Sequence, residues 1–152
     1  MNIFVLDHNP VKAAIYQCDK HVVKMILETA QMLSTVLSDY GVNLGYKPTH
    51  RKHPCTIWTG MSRENFEWLV KHGMALSDEY TSRYGKVHKS QKIIEASKDY
   101  IERLPSKGLT PFAQAMPEQF KDPCAVKAYR SFYLGEKMSF ATWKRNKPNW
   151  IP

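Results

Sequence analysis

The stretch from Val11 to Leu37 constrains this chain more than any other. Its apolar residues recur at helical spacing (Val22, Met25, Ile26, Ala30, Leu33, Leu37), and Val23, Leu27 and Val36 widen the stripe beyond a single face. A helix apolar over so broad an arc must be covered by neighbours, so the pattern predicts a central, mostly buried helix. Asp19 interrupts it with a side chain suited to accept from the free N–H groups of a helix start, and one kinked helix or two in series both satisfy the spacing.

The remaining segments fit around that helix. Ile3 to Leu6 form a short apolar run closed by Asp7-His8-Asn9-Pro10, which reads as a strand or extended segment followed by a helix beginning at Pro10. Asp39 to Thr59 holds two glycines, two prolines and no helical period, and reads as a long loop. Ser62 caps a helix carrying Phe66, Leu69, Val70, Gly73, Leu76 and Tyr80, which Gly85 stops. Ser90 to Arg103 reads as a third helix, Leu109 to Pro117 as a second loop, and Asp122-Pro123 as the start of a last helix with Val126, Tyr129, Tyr133, Phe140 and Trp143 facing inward. The expected fold is mainly α: residues 1–152 form a single compact domain of four or five helices with a short N-terminal extended segment, and 144–152 form a basic, proline-limited tail.

Charge narrows the partner class. With 22 Lys+Arg against 14 Asp+Glu the chain carries +8 at pH 7, while 43% hydrophobic residues suffice for one core. Such a surplus attracts polyanions, so nucleic acid, DNA ahead of RNA, or a nucleotide is the expected partner. No apolar run approaches a membrane span, the opening MNIFVLDHNP is unlike a signal peptide, and three cysteines (Cys18, Cys55, Cys124) make no disulfide framework. A cytoplasmic protein without a membrane partner is expected. The phosphate-cradling glycine loop, H-E-x-x-H, G-x-S-x-G and paired C-x-x-C motifs are absent, and no cofactor is called for.

Chemistry concentrates in a few places. At about 100° per residue, His21, Lys24, Glu28 and Gln31 share one sector of the central helix, lining up an imidazole, an ammonium and a carboxylate. Lys24 and Glu28 also suit an ordinary i,i+4 ion pair. Lys47, His50, Arg51 and His53 crowd the long loop, and Arg83, Lys86, His88 and Lys89 crowd the turn after the second long helix. Both clusters suit phosphate contacts. Trp58 or Tyr46 offers a stacking surface, and Gln114 an amide able to read a base edge. Cys18, His21, His50, His53 and Cys55 could ligate zinc, but they match no standard spacing, and no metal is expected.

The strings MNIFVLD, CDKHVVKMILETAQML, KPTHRKHPC, EYTSRYGK and LTPFAQAMP together resemble a family of small uncharacterised proteins of tailed-phage genomes, over nearly the whole chain. Asp19-x-His21 with Glu28 seven residues after the histidine, His53-Pro54 leading into a helix, and the helix end Glu79-Tyr80-Thr81-Ser82-Arg83-Tyr84-Gly85 are similar to the pyrimidine-dimer DNA glycosylase/lyases of the T-even phage endonuclease V type. That likeness implies a base-excision enzyme in which a free α-amine attacks the sugar carbon and a helix carboxylate assists. By position the carboxylate is Glu28, with His21 beside it to orient sugar or phosphate, and the terminal amine or Lys24 as nucleophile. A phage origin would put it in the host cytoplasm. The chain departs from the pattern at Asn2, bulky for removal of Met1, and at Lys20, Lys24 and Gln31, which stand where arginines are expected around the carboxylate. The alternative is a non-catalytic basic binder of nucleic acid or of a host protein.

Overall fold

The computed structural model describes all residues, 1–152, and contains six α-helices and no β-strand. Asn9 opens α1 (Pro10–Ile15) by accepting from the Val11 and Lys12 amides, with Pro10 in the first turn. The chain then breaks for three residues and restarts as α2 (Asp19–Ser38), so the two-helix alternative holds. Fourteen of the twenty residues of α2 are buried, as its wide apolar arc requires.

Around α2 stand α3 (Pro54–Gly60), α4 (Arg63–Tyr84) and α5 (Gln91–Ser97). Ser62 caps α4 by accepting from the Asn65 amide, and Gly85 ends it in the left-handed conformation at φ 71°. Two expectations need correction. The loop after α2 stops at His53, whose Nδ1 accepts from the Cys55 amide and starts α3. A seven-residue helix is too short to show a period, and the cap-plus-proline pair His53-Pro54 was its only signal. The helix expected across Ser90 to Arg103 is α for seven residues and tightens to 3-10 geometry over Lys98–Arg103.

The last helix, α6 (Ala125–Phe132), begins two residues beyond Pro123 and passes into a π-helical turn over Tyr133–Lys137. Phe140 and Trp143 therefore lie past its end and are half-buried. The segment 144–152 folds back onto the domain, with Trp150 edge-on to Tyr16 and Tyr133 and Arg130 5.1 Å above its ring.

The break between α1 and α2 is held from α4. The buried Arg83 guanidinium donates to the Ile15 and Gln17 carbonyls, to Asp19 at 3.0 Å and to Glu79 at 2.8 Å, so four of its five N–H groups are engaged and the side chain is closed to solvent. Arg83 thus closes carbonyls left open where α1 ends and is unavailable to a phosphate, contrary to expectation. Asp19 does not cap its own helix; it takes Arg83, the Thr142 hydroxyl and the Lys144 amide.

Residues 3–6 are buried without a neighbouring strand, and the backbone turns at Phe4, whose φ is 60° and whose carbonyl accepts from the Leu6 amide. Side chains satisfy their backbone instead: Gln17 donates to the Ile3 carbonyl and Arg130 to that of Leu6. Behind this segment, buried His72 of α4 donates from Nδ1 to the Pro10 carbonyl and accepts from the Gln17 amide at Nε2. Burial pushes its pKa down from 6.5 to about 4, so the ring is uncharged at neutral pH.

Two outcomes follow from this packing. A Cβ on Gly73 would meet Thr29 Cγ2 at 2.8 Å and Ile94 Cδ1 at 3.0 Å, where α2, α4 and α5 converge. Gly73→Ala should cost about 1–3 kcal/mol of overpacking, partly offset by about 1 kcal/mol of helix propensity. Gly60→Ala, which meets Val36 at 3.4 Å, should be near neutral in the same denaturation experiment. For His72, the unfolded chain takes up its proton near 6.5 and the folded chain only near 4. Its contribution is therefore complete above pH 6.5 and is lost as pH falls toward 4, at about 1.4 kcal/mol per pH unit. Melting curves should show that acid decline, and His72→Gln should lessen it.

Candidate active site

Asn2 is a polar residue in an apolar opening, and it is buried. Its Oδ1 accepts from the Ile3 and Phe4 amides and lies 2.9 Å from the Tyr129 hydroxyl, while its Nδ2 donates to the Ala115 carbonyl at 2.8 Å. Four contacts on one carboxamide fix the start of the chain against α6 and the loop before it. As a result the Met1 amine sits 3.2 Å from Glu28 Oε1, at the middle of α2. Both groups are nearly closed to solvent, and Oε1 has no hydrogen bond besides this ion-pair contact. Glu28 Oε2 is 3.9 Å from the Lys24 ammonium, whose side chain is 66% exposed.

This arrangement has definite chemical capacity. An α-amine is a nucleophile toward an aldehyde-level carbon once it has lost a proton, and a carboxylate in contact with it can take that proton. His53 feels the same centre. Burial pushes its imidazole below the ordinary histidine value, with the Met1 amine and His50 acting the same way and Glu28 opposing. His53 is thus mainly uncharged at neutral pH, and its Nδ1 is engaged in capping α3.

His21, Lys24 and Glu28 do lie along one side of α2, but only Lys24 and Glu28 touch. His21 is two turns away, buried, stacked on Phe4 at 4.2 Å, with Nδ1 2.5 Å from the Tyr133 hydroxyl. Burial, reinforced by Lys137, Lys24 and Lys20, pushes its pKa down to about 3. Phe4 reaches this stack with a φ of 60°, an uncommon conformation for an aromatic residue that the surrounding contacts hold in place.

Beside Lys24 runs an open groove of about 810 Å³. Lys24, Lys47 and Lys89 supply its positive lining, uncharged His88 stands among them with both ring nitrogens bonded, and Val23 and Leu27 add apolar surface. The fold therefore brings one residue of the basic loop and two of the basic turn to the same place. Other expected contacts lie elsewhere. Lys86 is exposed outside the groove, and His50 is exposed on the loop. Arg51 pairs with Asp39 and donates to Ser38. Trp58 is buried, donates to the Thr110 carbonyl and packs on Trp68 and Phe112, so it offers no free face for stacking. Gln114 spends both ends of its amide on the Asp122 backbone.

Among the residues that could hold a metal, Cys18, His21, His50, His53 and Cys55 do not gather three to a site. Burial pushes the Cys55 thiol up to about 11, so it stays protonated beside Asn2. Sequence reasoning named the terminal amine as a nucleophile and Tyr129 and Tyr133 as inward-facing, but not the contacts through which Asn2, Tyr129 and Tyr133 shape the site. Only Asn2 left a local trace, as a carboxamide in an otherwise apolar run.

Comparison with known proteins bears on the same part of the molecule. Neither the curated proteins nor the solved structures contain a match. A family model described as pyrimidine dimer DNA glycosylase matches residues 1–93, which carry the N-terminal segment, Glu28 on α2, and the helices that hold α2. With 93 of 152 residues matched, this chain belongs to the pyrimidine dimer DNA glycosylase family.

Proposed function

We propose that this protein is a DNA base-excision glycosylase with an associated lyase step, and that the Met1 amine is its nucleophile. The observation that carries this reading is the buried contact between that amine and Glu28. With Met1 as the first residue of the mature chain, Glu28 takes a proton from the ammonium and the freed nitrogen attacks C1′ of the damaged nucleotide. The glycosidic bond breaks, and the base leaves with the bonding electrons and a proton. Opening of the sugar ring leaves an imine between residue 1 and C1′. Loss of a C2′ proton then expels the 3′ phosphate, and water releases the enzyme. Lys24 stands within reach of the same carboxylate and is the alternative amine.

The groove lined by Lys24, Lys47, His88 and Lys89 is read as the path of the DNA backbone, its apolar surface being suited to a sugar or base edge. The bound partner is DNA in preference to RNA, and the working compartment is the cytoplasm, that of the host if the protein is phage-encoded.

Borohydride trapping tests the covalent step. Incubation with abasic-site or pyrimidine-dimer duplex should give a reduced adduct on the peptide that begins at Met1; an adduct on Lys24 would transfer the role to that side chain. N-terminal extension by two glycines should abolish the adduct. Glu28→Gln keeps shape but cannot take the proton, so turnover should fall at least about 10²-fold while DNA affinity changes little. Absence of any adduct and of any base release or strand cleavage across a panel of lesions would leave the non-catalytic binder.

The groove makes a separate demand. DNA affinity should fall linearly in log–log terms with salt, and Lys47→Ala with Lys89→Ala should flatten the slope by about 0.9 for each phosphate contact removed. An unchanged slope would take the groove off the DNA path.

A further inference from the structure

The pairing of His21 with Tyr133 joins two parts of the chain 112 residues apart, and Tyr133 lies outside the segment the family model matches. The Tyr133 hydroxyl accepts from the Cys18 amide at 3.3 Å and has one proton of its own. That proton has two destinations: His21 Nδ1 at 2.5 Å and the weakly accepting Cys18 sulfur at 3.7 Å. The short contact to nitrogen is the stronger one, so Nδ1 acts as acceptor. An uncharged imidazole that accepts at Nδ1 carries its proton on Nε2.

Nε2 is placed for use. No hydrogen bond reaches it, yet it is absent from the sealed, unpartnered polar atoms of the core, so it keeps contact with solvent. The groups around the ring are cationic. Lys137 lies 4.6 Å from the Phe132 ring centre and 5.8 Å from that of Phe4, the ring stacked on His21. Lys20 lies 4.8 Å from the centre of Phe140, which packs edge-on to His21 at 5.6 Å. Lys24 is one turn along α2 toward Glu28, and the charges acting on the ring from α2 and the π-helical turn are all ammonium groups. A neutral N–H donor set among three ammoniums suits an anionic oxygen, and it could not be replaced by a protonated histidine without mutual repulsion.

We propose that Tyr133 is a positioning residue that locks His21 in the Nε2–H tautomer, and that this N–H, with Lys20, Lys24 and Lys137, seats a phosphate oxygen of the DNA strand beside the Met1–Glu28 pair. The phosphate seat rests on the base-excision reading for its placement on the substrate, whereas the tautomer does not depend on it.

Nitrogen-15 correlation spectra of the labelled protein at pH 7 test both parts. The wild type should show His21 as the Nε2–H tautomer, and Tyr133→Phe should move it to a mixture or to Nδ1–H. Addition of a duplex containing an uncleavable tetrahydrofuran abasic site should displace the Nε2–H resonance. Lys137→Gln should weaken binding of that duplex about tenfold, the worth of one charge-assisted contact. Lys127→Gln, exposed on α6, should leave it unchanged. An Nδ1–H tautomer in the wild type, an unchanged tautomer in Tyr133→Phe, or an Nε2–H resonance unmoved by bound duplex would each overturn the proposal. Wild-type spectra decide the matter even if Tyr133→Phe fails to fold. A displaced resonance without any borohydride adduct would sink the base-excision reading alone, and an adduct with an unmoved resonance would sink the phosphate seat alone.

Discussion

The carboxamide of Asn2 is the constraint on which the rest of the site depends. An irregular buried segment in a helical core is costly, because its backbone donors and acceptors have no helix or ladder to join. Here the segment is tolerated because one side chain turns back on its own amides while reaching Tyr129 and Ala115, and Gln17 and Arg130 take two of the carbonyls. Once residues 2–6 are threaded this way, the position of the terminal amine is determined. It stands against Glu28 because the chain has no other direction to leave in.

The same logic explains the distribution of charge in the interior. Arg83 is buried with two carboxylates and two carbonyls, an arrangement that fixes where α2 starts. The buried histidines, by contrast, are uncharged and act through hydrogen bonds, His72 between α4 and α1 and His21 between α2 and Tyr133. Positive charge is kept at the margins, on Lys20, Lys24, Lys47, Lys89 and Lys137, where water solvates it until an anion arrives.

Periodicity disclosed the long helices α2 and α4, and the caps of α4, since a broad apolar arc and a Ser62–Gly85 frame are local properties of the chain. It could not disclose α3, whose seven residues hold less than two turns, nor the change to 3-10 and π geometry after α5 and α6, which tertiary packing imposes. The polar line of His21, Lys24 and Glu28 was legible for the same reason as the helix that bears it. What covers that line was not. Trp58 and Arg83 have the residue types of a nucleic-acid surface, and only the fold shows that one fills the core and the other ties α4 to the α1–α2 break. Asn2 meets Tyr129 and His21 meets Tyr133 across more than a hundred residues, a separation at which spacing carries no information.

The separation between Asn2 and Tyr129 also orders events in time. During synthesis, residues 1–93 are made before the Ala115 and Tyr129 partners of Asn2 exist, so the amine and Glu28 are both present in a chain that lacks those anchors. At about 5–20 residues per second, several seconds pass before Tyr129 is added. The terminal amine is anchored last, although it is made first, and an unfinished chain carries the matched segment without its anchored terminus.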